Sequence, residues 1–221
     1  NTGLKRLFEK EAVSGIDLLI KDELTNCDTC CIGKAHRNAF GNHSSRDKAK
    51  LPLERIHCDL SSFQYQHDKV KYVSVIVDEY SRKGSIKLLN YKNETADHII
   101  NWINQNENRL NLKVKEFHSD GGGEYVASSL QEFLNEKGIK STMTCKGTPQ
   151  HNGIAERFNR TLFNSSRCLL QHSKLSLDFS ELAIKTAAYL LQFRITVTDK
   201  SKTVSELFYG IKTSIKNLKV F

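Results

Sequence analysis

A mixed α/β fold is what this sequence predicts, and three observations carry it. Short runs rich in β-branched and aromatic residues recur at 55–60, 70–77, 85–89, 112–117 and 139–144. Between and after them, apolar residues repeat at three- and four-residue spacing, as on one face of a helix. With 221 residues, the chain can bury roughly 70% of the surface its unfolded form exposes, enough for one core with appendages.

The elements follow in order. Residues 1–34 carry a small apolar set (Leu4, Leu7, Phe8, then Ile16, Leu18, Leu19, Ile20), read as a helix and a short extended piece. Residues 35–54 are polar and without period until Leu51-Pro52-Leu53, which predicts a linker. The first strand, Arg55-Ile56-His57-Cys58-Asp59-Leu60, is followed by a central-looking strand with Val70, Tyr72, Val73, Val75, Ile76 and Val77, and a third over 85–89. Ala96, Ile99, Ile100 and Ile103 form one helical stripe, with Trp102 beside it as a core or interface residue. A strand over 112–117 leads to Asp120, and Ser128 with Gln131 has the spacing of a capping box for a helix that turns Leu130, Phe133 and Leu134 inward. The fifth strand spans 139–144. Ile154, Phe158 and Leu162 then mark a helix that begins just after Pro149 and Gly153. Residues 174–198 read as one more helix with Phe179, Leu182, Ala183, Ala187, Leu190 and Leu191 on its inner side, and 205–209 as a helical turn ended by Gly210.

Charge is distributed unevenly along the chain. The 33 Lys+Arg and 25 Asp+Glu give a net +8; residues 1–50 hold nine basic and seven acidic side chains, 51–156 hold 13 and 14, and 157–221 hold 11 and 4. A near-neutral core followed by a basic tail suits a polyanionic partner. No apolar run reaches the 18 or more residues of a membrane-spanning helix, which excludes that partner class. Of the six cysteines only the group at 27–31 has metal-ligand spacing, so Cys58, Cys145 and Cys168 read as reduced thiols of an intracellular protein. The chain starts at Asn1 and stops just after Leu218-Lys219-Val220, which reads as a piece of something longer.

Three carboxylates stand out by position. Asp59 lies in the first strand, and Asp120 ends the fourth before Gly121-Gly122-Gly123. Glu156 lies in the first turn of the helix after Gly153, with 35 residues between it and Asp120. Two carboxylates about 4 Å apart repel by roughly 4 kcal/mol at an effective dielectric near 20. A fold that gathers three of them needs a cation to offset the charge, and an all-oxygen donor set selects Mg²⁺ or Mn²⁺. Two such ions can polarise an attacking oxygen and stabilise a leaving one at phosphorus.

The residue strings around these acids resemble a known family. They are Cys27-Asp28-Thr29-Cys30-Cys31-Ile32-Gly33-Lys34, Val77-Asp78-Glu79-Tyr80-Ser81-Arg82, Ser119-Asp120-Gly121-Gly122-Gly123-Glu124-Tyr125, Thr148-Pro149-Gln150-His151-Asn152-Gly153-Ile154-Ala155-Glu156-Arg157-Phe158-Asn159-Arg160-Thr161-Leu162, and the 203–221 tail. In this order they are similar to the integrases of copia-type LTR retrotransposons, which are parts of a Pol polyprotein, and they cover about residues 27–221. The resemblance implies a ribonuclease H-like fold, a mixed five-stranded sheet with flanking helices, for a catalytic core at 55–172. It implies a partial zinc-finger-like segment at 1–34, the linker at 35–54 and a helical extension at 173–221.

Further implications concern the site. Asp59, Asp120 and Glu156 are the expected catalytic residues and ligands of two Mg²⁺ (or Mn²⁺) ions. Asn152, Gln150, Arg160 and Arg167 are the expected DNA contacts, while Asp78 reads as a turn residue, Glu124 as a non-ligand neighbour, and His118 and His151 as local hydrogen-bonding residues. Cys27 and Cys30 resemble half of a Zn²⁺ site, but the sequence has no histidine before His36, so zinc is expected only with a His pair upstream. Val204 and Thr213 stand where the family has proline. The activity implied is metal-dependent strand transfer, joining 3′-hydroxyl ends of element DNA to target DNA. A homo-multimer is expected, acting in the nucleus after assembly in cytoplasmic virus-like particles. Two other readings stay open: a remnant that binds nucleic acid without catalysis, and a ribonuclease H-type nuclease.

Overall fold

The computed structural model describes residues 47–63, 72–143 and 152–216, with Lys10 and Leu218. The finger-like segment with Cys27 and Cys30, and Gln150 and His151 of the loop before Glu156, lie outside the described residues.

Five strands make one sheet: β1 (Arg55–Ser62), β2 (Tyr72–Asp78), β3 (Gly84–Leu89), β4 (Glu116–Ser119) and β5 (Lys140–Met143). Their spatial order is β3-β2-β1-β4-β5. The first three pair antiparallel, while β4 adds parallel to β1 and β5 parallel to β4. Parallel neighbours cannot be joined by a tight turn, so each parallel step needs a crossover. Helices α1 (Glu94–Leu110) and α2 (Ser128–Glu136) are those crossovers. After β5 come α3 (Gly153–Ser173), α4 (Ser180–Leu190) and α5 (Val204–Tyr209). This is the ribonuclease H-like arrangement.

Strand alternation sorts side chains onto two faces. On one face Ile56, Cys58, Ile76 and Phe117 meet Ala96, Ile99, Trp102 and Ile103 of α1 and Leu130 and Leu134 of α2. On the other, Val73, Val75 and Val77 meet Phe158 and Leu162 of α3 and Ile184 and Ala187 of α4. Leu53, before β1, and Phe208 of α5 both belong to the first of these cores. The core therefore draws on residues either side of 55–172. Asp78 is fully buried at the end of β2, where it accepts from the amides of Leu53 (2.8 Å) and Ser81 (2.7 Å) and so fixes the turn.

The structure corrects three sequence-based elements. The fourth strand starts at Glu116, not at 112: Asn111 ends α1 with φ 52°, and the Val114 amide donates to Glu107 Oε1 at 3.0 Å. Val114 is apolar because it is core, not because it pairs. The capping box does not form. Ala127 occupies the N-cap position, and Gln131 Nε2 instead donates to the Tyr125 carbonyl at 2.7 Å. The helix expected over 174–198 is broken into a 3₁₀ turn (Leu177–Phe179), α4 and a second 3₁₀ turn (Leu191–Phe193), after which Arg194 is extended. The β-branched run Ile195-Thr196-Val197-Thr198 is poor helix material, and Ile195 bridges Thr203 instead. Phe179, Leu182 and Leu190, expected inward, are exposed; Ala183, Ile184 and Ala187 face the core. The helical turn near the end fares as expected, with Thr203 Oγ1 capping α5 and Gly210 closing it at φ 73°.

Candidate active site

Asp59 sits on β1, the central strand, opposite Val75 of β2 and on the face covered by α3. His57, Asp59 and Ser61 share that face. Asn159 of α3 reaches down to them, and its Nδ2 donates to Asp59 Oδ2 at 2.5 Å and to Ser61 Oγ at 3.0 Å. Glu156 lies three residues earlier on the same helix, one turn toward its N-terminus. Helix α3 thus brings both an acid and the donor that orients another acid.

A second strut holds the start of α3. Asn152, its N-cap residue, is 1% exposed and its Nδ2 donates to the Cys58 carbonyl at 2.9 Å. Its side chain ties helix to strand and faces the interior. Asp120 follows the C-terminal end of β4, adjacent to β1, and is exposed. Its Oδ1 accepts from the Gly122 amide at 3.1 Å, across the glycine turn in which Gly121 takes φ 72°.

Electrostatics shows that these acids share one neighbourhood. Burial is the main force raising the Asp59 pKa above the usual carboxylate value; the Asn159 hydrogen bond opposes it, and the charges of Asp120 and Glu124 add to it. Glu156 is raised by burial first and then by Asp59, with Arg157 and Arg160 pulling the other way. The Tyr125 hydroxyl, buried beneath, is pushed well up by burial and then by Cys58, Asp59, Asp120 and Glu124. Three carboxylates from three separate segments therefore repel one another, and Glu124 contributes to the same field. The side chains do not converge on a point: among the described residues, no group of three His, Cys, Asp or Glu side chains is arranged to hold a metal ion. The donor set itself fits a hard divalent cation, since it is all carboxylate oxygen and carries a charge surplus that a cation relieves.

The remaining expected residues fall as follows. Arg160 and Arg167 are exposed on α3, and Arg167 Nη2 donates to Asn164 Oδ1. His118 is buried, with Nδ1 in a 2.8 Å hydrogen bond with Thr142 Oγ1 and its ring 5.1 Å from that of His57, a local structural residue. Trp102 is core. Asn159 was not singled out from sequence, although its i+3 spacing from Glu156 places it on the acid's own helix face. Glu124, read as a mere neighbour, contributes to the charge at Asp59.

Residues 49–149 match the integrase core domain family, a segment that includes Asp59 and Asp120. Over 218 residues, 94% of its length, the chain is 31% identical to the retrovirus-related Pol polyprotein from transposon TNT 1-94 of Nicotiana tabacum, and spans 16% of that relative. Its fold matches the HTLV-2 integrase catalytic core domain in complex with magnesium (trimeric form) with TM-score 0.57 at 23% identity, covering 73% of this chain and 99% of that one. It matches a simian T-cell lymphotropic virus intasome with TM-score 0.61 at 20% identity, covering 90% and 67%. Residues 49–149 therefore carry an integrase core domain, and over nearly its whole length the chain is similar to a segment of retrotransposon Pol polyproteins.

Proposed function

We propose that this chain is the catalytic part of a retrotransposon integrase, joining 3′-hydroxyl ends of element DNA to target DNA. Supporting this reading, Asp59 on β1 and Glu156 on α3 are both raised by burial and by the charge of the other acids, Asp120 among them. These three side chains would hold the Mg²⁺ or Mn²⁺ ions, two in number. When bound, such ions supply charge compensation at phosphorus and ease ionisation of the attacking hydroxyl. Asp120 and Glu156 are exposed and so free to turn toward an ion, while Asn159 keeps Asp59 in place.

Arg160 and Arg167, on the exposed side of α3, are the DNA-phosphate contacts of this reading. Asn152 serves it indirectly, by fixing the helix start. A homo-multimer holding the element ends and the target is the assembly that fits, with the reaction in the nucleus after assembly in cytoplasmic virus-like particles.

The test is a strand-transfer assay with labelled element-end duplexes and Mg²⁺ or Mn²⁺, comparing this chain with Asp120→Asn and Glu156→Gln. Joined products from the unaltered chain alone, with duplex binding kept in all three, are expected. Binding without joining in the unaltered chain would make it a non-catalytic nucleic-acid-binding module, and cutting of the RNA strand in a hybrid would make it a nuclease. Thermal unfolding gives an independent readout: Mg²⁺ should raise the Tm of the unaltered chain more than that of Asp59→Asn.

A further inference from the structure

Helix α4 carries apolar residues on both of its sides. Ala183, Ile184, Ala187 and Ala188 pack inward. Outward lie Leu182, 53% exposed, Tyr189, 50%, and Leu190, 37%. Phe179 at the N-cap position is 44% exposed, and Leu177 in the turn before it 52%. Phe179, Leu182, Thr186, Tyr189 and Leu190 are linked by three- and four-residue steps, so they form one stripe along the helix. The Tyr189 ring is backed edge-on by that of Phe193, 5.0 Å away.

A surface helix of a monomer normally turns polar residues toward water. Five half-exposed large side chains leave on the order of 500 Å² of apolar surface, at the upper end of what a soluble monomer shows. Two such faces brought together would remove about 1,000 Å² from water, the size at which a specific interface begins. Charge selects the same place. The chain carries a net +8, so copies of it repel at most of their surface. Residues 175–193 hold only Asp178, Glu181 and Lys185, a net −1, and Lys185 is paired with Glu181 at 2.5 Å. The stripe is also self-complementary. Thr186, half-buried and smaller than its neighbours, lies midway, with Phe179 and Leu182 before it and Tyr189 and Leu190 after it. Two helices crossing antiparallel at Thr186 set Leu182 of one copy against Tyr189 and Leu190 of the other, and the reverse.

We propose that the outer face of α4 is a two-fold interface between two copies of this chain. The inference rests on the homo-multimer of the preceding reading and adds to it the surface that builds the pair. Because α4 packs on α3, the helix of Glu156, pairing through α4 sets the two acid sites in a fixed relation.

The experiment is analytical ultracentrifugation of the full chain over a micromolar concentration series, run beside thermal unfolding. A reversible dimer is expected for the unaltered chain. Leu182→Glu should raise the dimer Kd about 100-fold or more, because it places a carboxylate in an apolar contact and a two-fold interface counts it twice. Its Tm in dilute solution should match that of the unaltered chain, since Leu182 lies outside both cores. Thr186→Cys should give a disulfide-linked dimer under mild oxidation, above the level the chain's own cysteines produce. A dimer that survives Leu182→Glu, or to which Thr186→Cys adds no cross-link, overturns this face and leaves the multimer standing on another. A chain that stays monomeric throughout overturns the interface and the multimer together, whereas loss of strand joining with the dimer intact overturns the joining reading alone.

Discussion

Gly84→Ala is a small substitution with a large expected effect. A Cβ built at Gly84 would lie 2.0 Å from Phe158 Cζ, 2.1 Å from Cε2 and 2.8 Å from Cε1. Carbon atoms in ordinary contact stay about 3.5–4.0 Å apart, so the ring must retreat by roughly 1.5 Å. It has no room to do so, because Phe158 is 4% exposed and packs among Val75, Val77, Leu162 and Ile184. Overpacking of this kind costs about 1–3 kcal/mol. At about 2–4 °C per kcal/mol for a chain of this size, the Tm should fall by about 2–12 °C. Phe158 stands between Glu156 and Asn159, so displacing the ring moves the start of α3 and lowers strand joining as well. The deciding measurement is a double-mutant cycle by urea unfolding. Phe158→Leu opens space where the new methyl falls, so the pair should cost less than the sum of the singles by about 0.5–3 kcal/mol. Additive losses, or a Gly84→Ala Tm within 1 °C of the unaltered chain, would refute the close approach.

Three further outcomes are expected. Asn159→Ala strips Asp59 of its side-chain donor; a hydrogen bond to a charged group is worth about 1.5–3 kcal/mol, so joining should fall about tenfold or more with duplex binding unchanged, and equal loss of both would contradict a positioning role. Glu79→Ala removes the acceptor shared by Arg55 (3.1 Å) and His57 (2.8 Å) while Arg55 keeps Glu116 at 2.8 Å, and should cost about 1–3 kcal/mol in urea unfolding; a loss under about 0.5 kcal/mol would count against it. His98, buried against Ser74 Oγ (2.9 Å), has its pKa pushed down to about 4 by burial and then by Lys87, from 6.5. The unfolded chain therefore binds a proton that the folded chain refuses, so this contribution is fully present above pH 6.5 and is lost as pH falls toward 4. The loss approaches about 3 kcal/mol. The pH–stability curve of His98→Gln should lack that fall, and overlapping curves would dismiss the assignment.

The parts legible in the sequence are those set by local pattern. Val73, Val75 and Val77 alternate with Ser74 and Ile76, and β2 follows that period onto two faces. Ile99 and Ile103 sit one turn apart, and α1 buries both. The acids were legible through residue strings, because Asp120 before three glycines and Glu156 after Gly153 are local features. What escaped was decided by tertiary contact. Val114 looks like a strand residue because it is apolar, yet its amide is bound to a side chain of α1. Leu182 fits an inward helical stripe, yet α4 is rotated so that Ala183, Ile184 and Ala187 approach α3 and the sheet. Small residues permit that close packing, and a stripe of larger ones would hold the helices apart. The Asn159–Asp59 contact spans 100 positions and has no local signature.

The two halves of the acid site are held in different ways, and this sets how each responds to change. Asn152 to the Cys58 carbonyl, Asn159 to Asp59 and Ser61, and Phe158 on Gly84 fix α3 against β1 and β3 at four points. The placement of Asp59 relative to the Glu156 backbone is thus built into the core and costs nothing further when a ligand arrives. Asp120 stands apart, on a glycine turn where its Oδ1 accepts from the Gly122 amide, a local contact. Substitutions in the α3–β1 joint should therefore lower stability and joining together. Gly123→Ala, where the added Cβ would meet no atom within 4 Å, should lower joining with little change in stability, because no core contact depends on where Asp120 points.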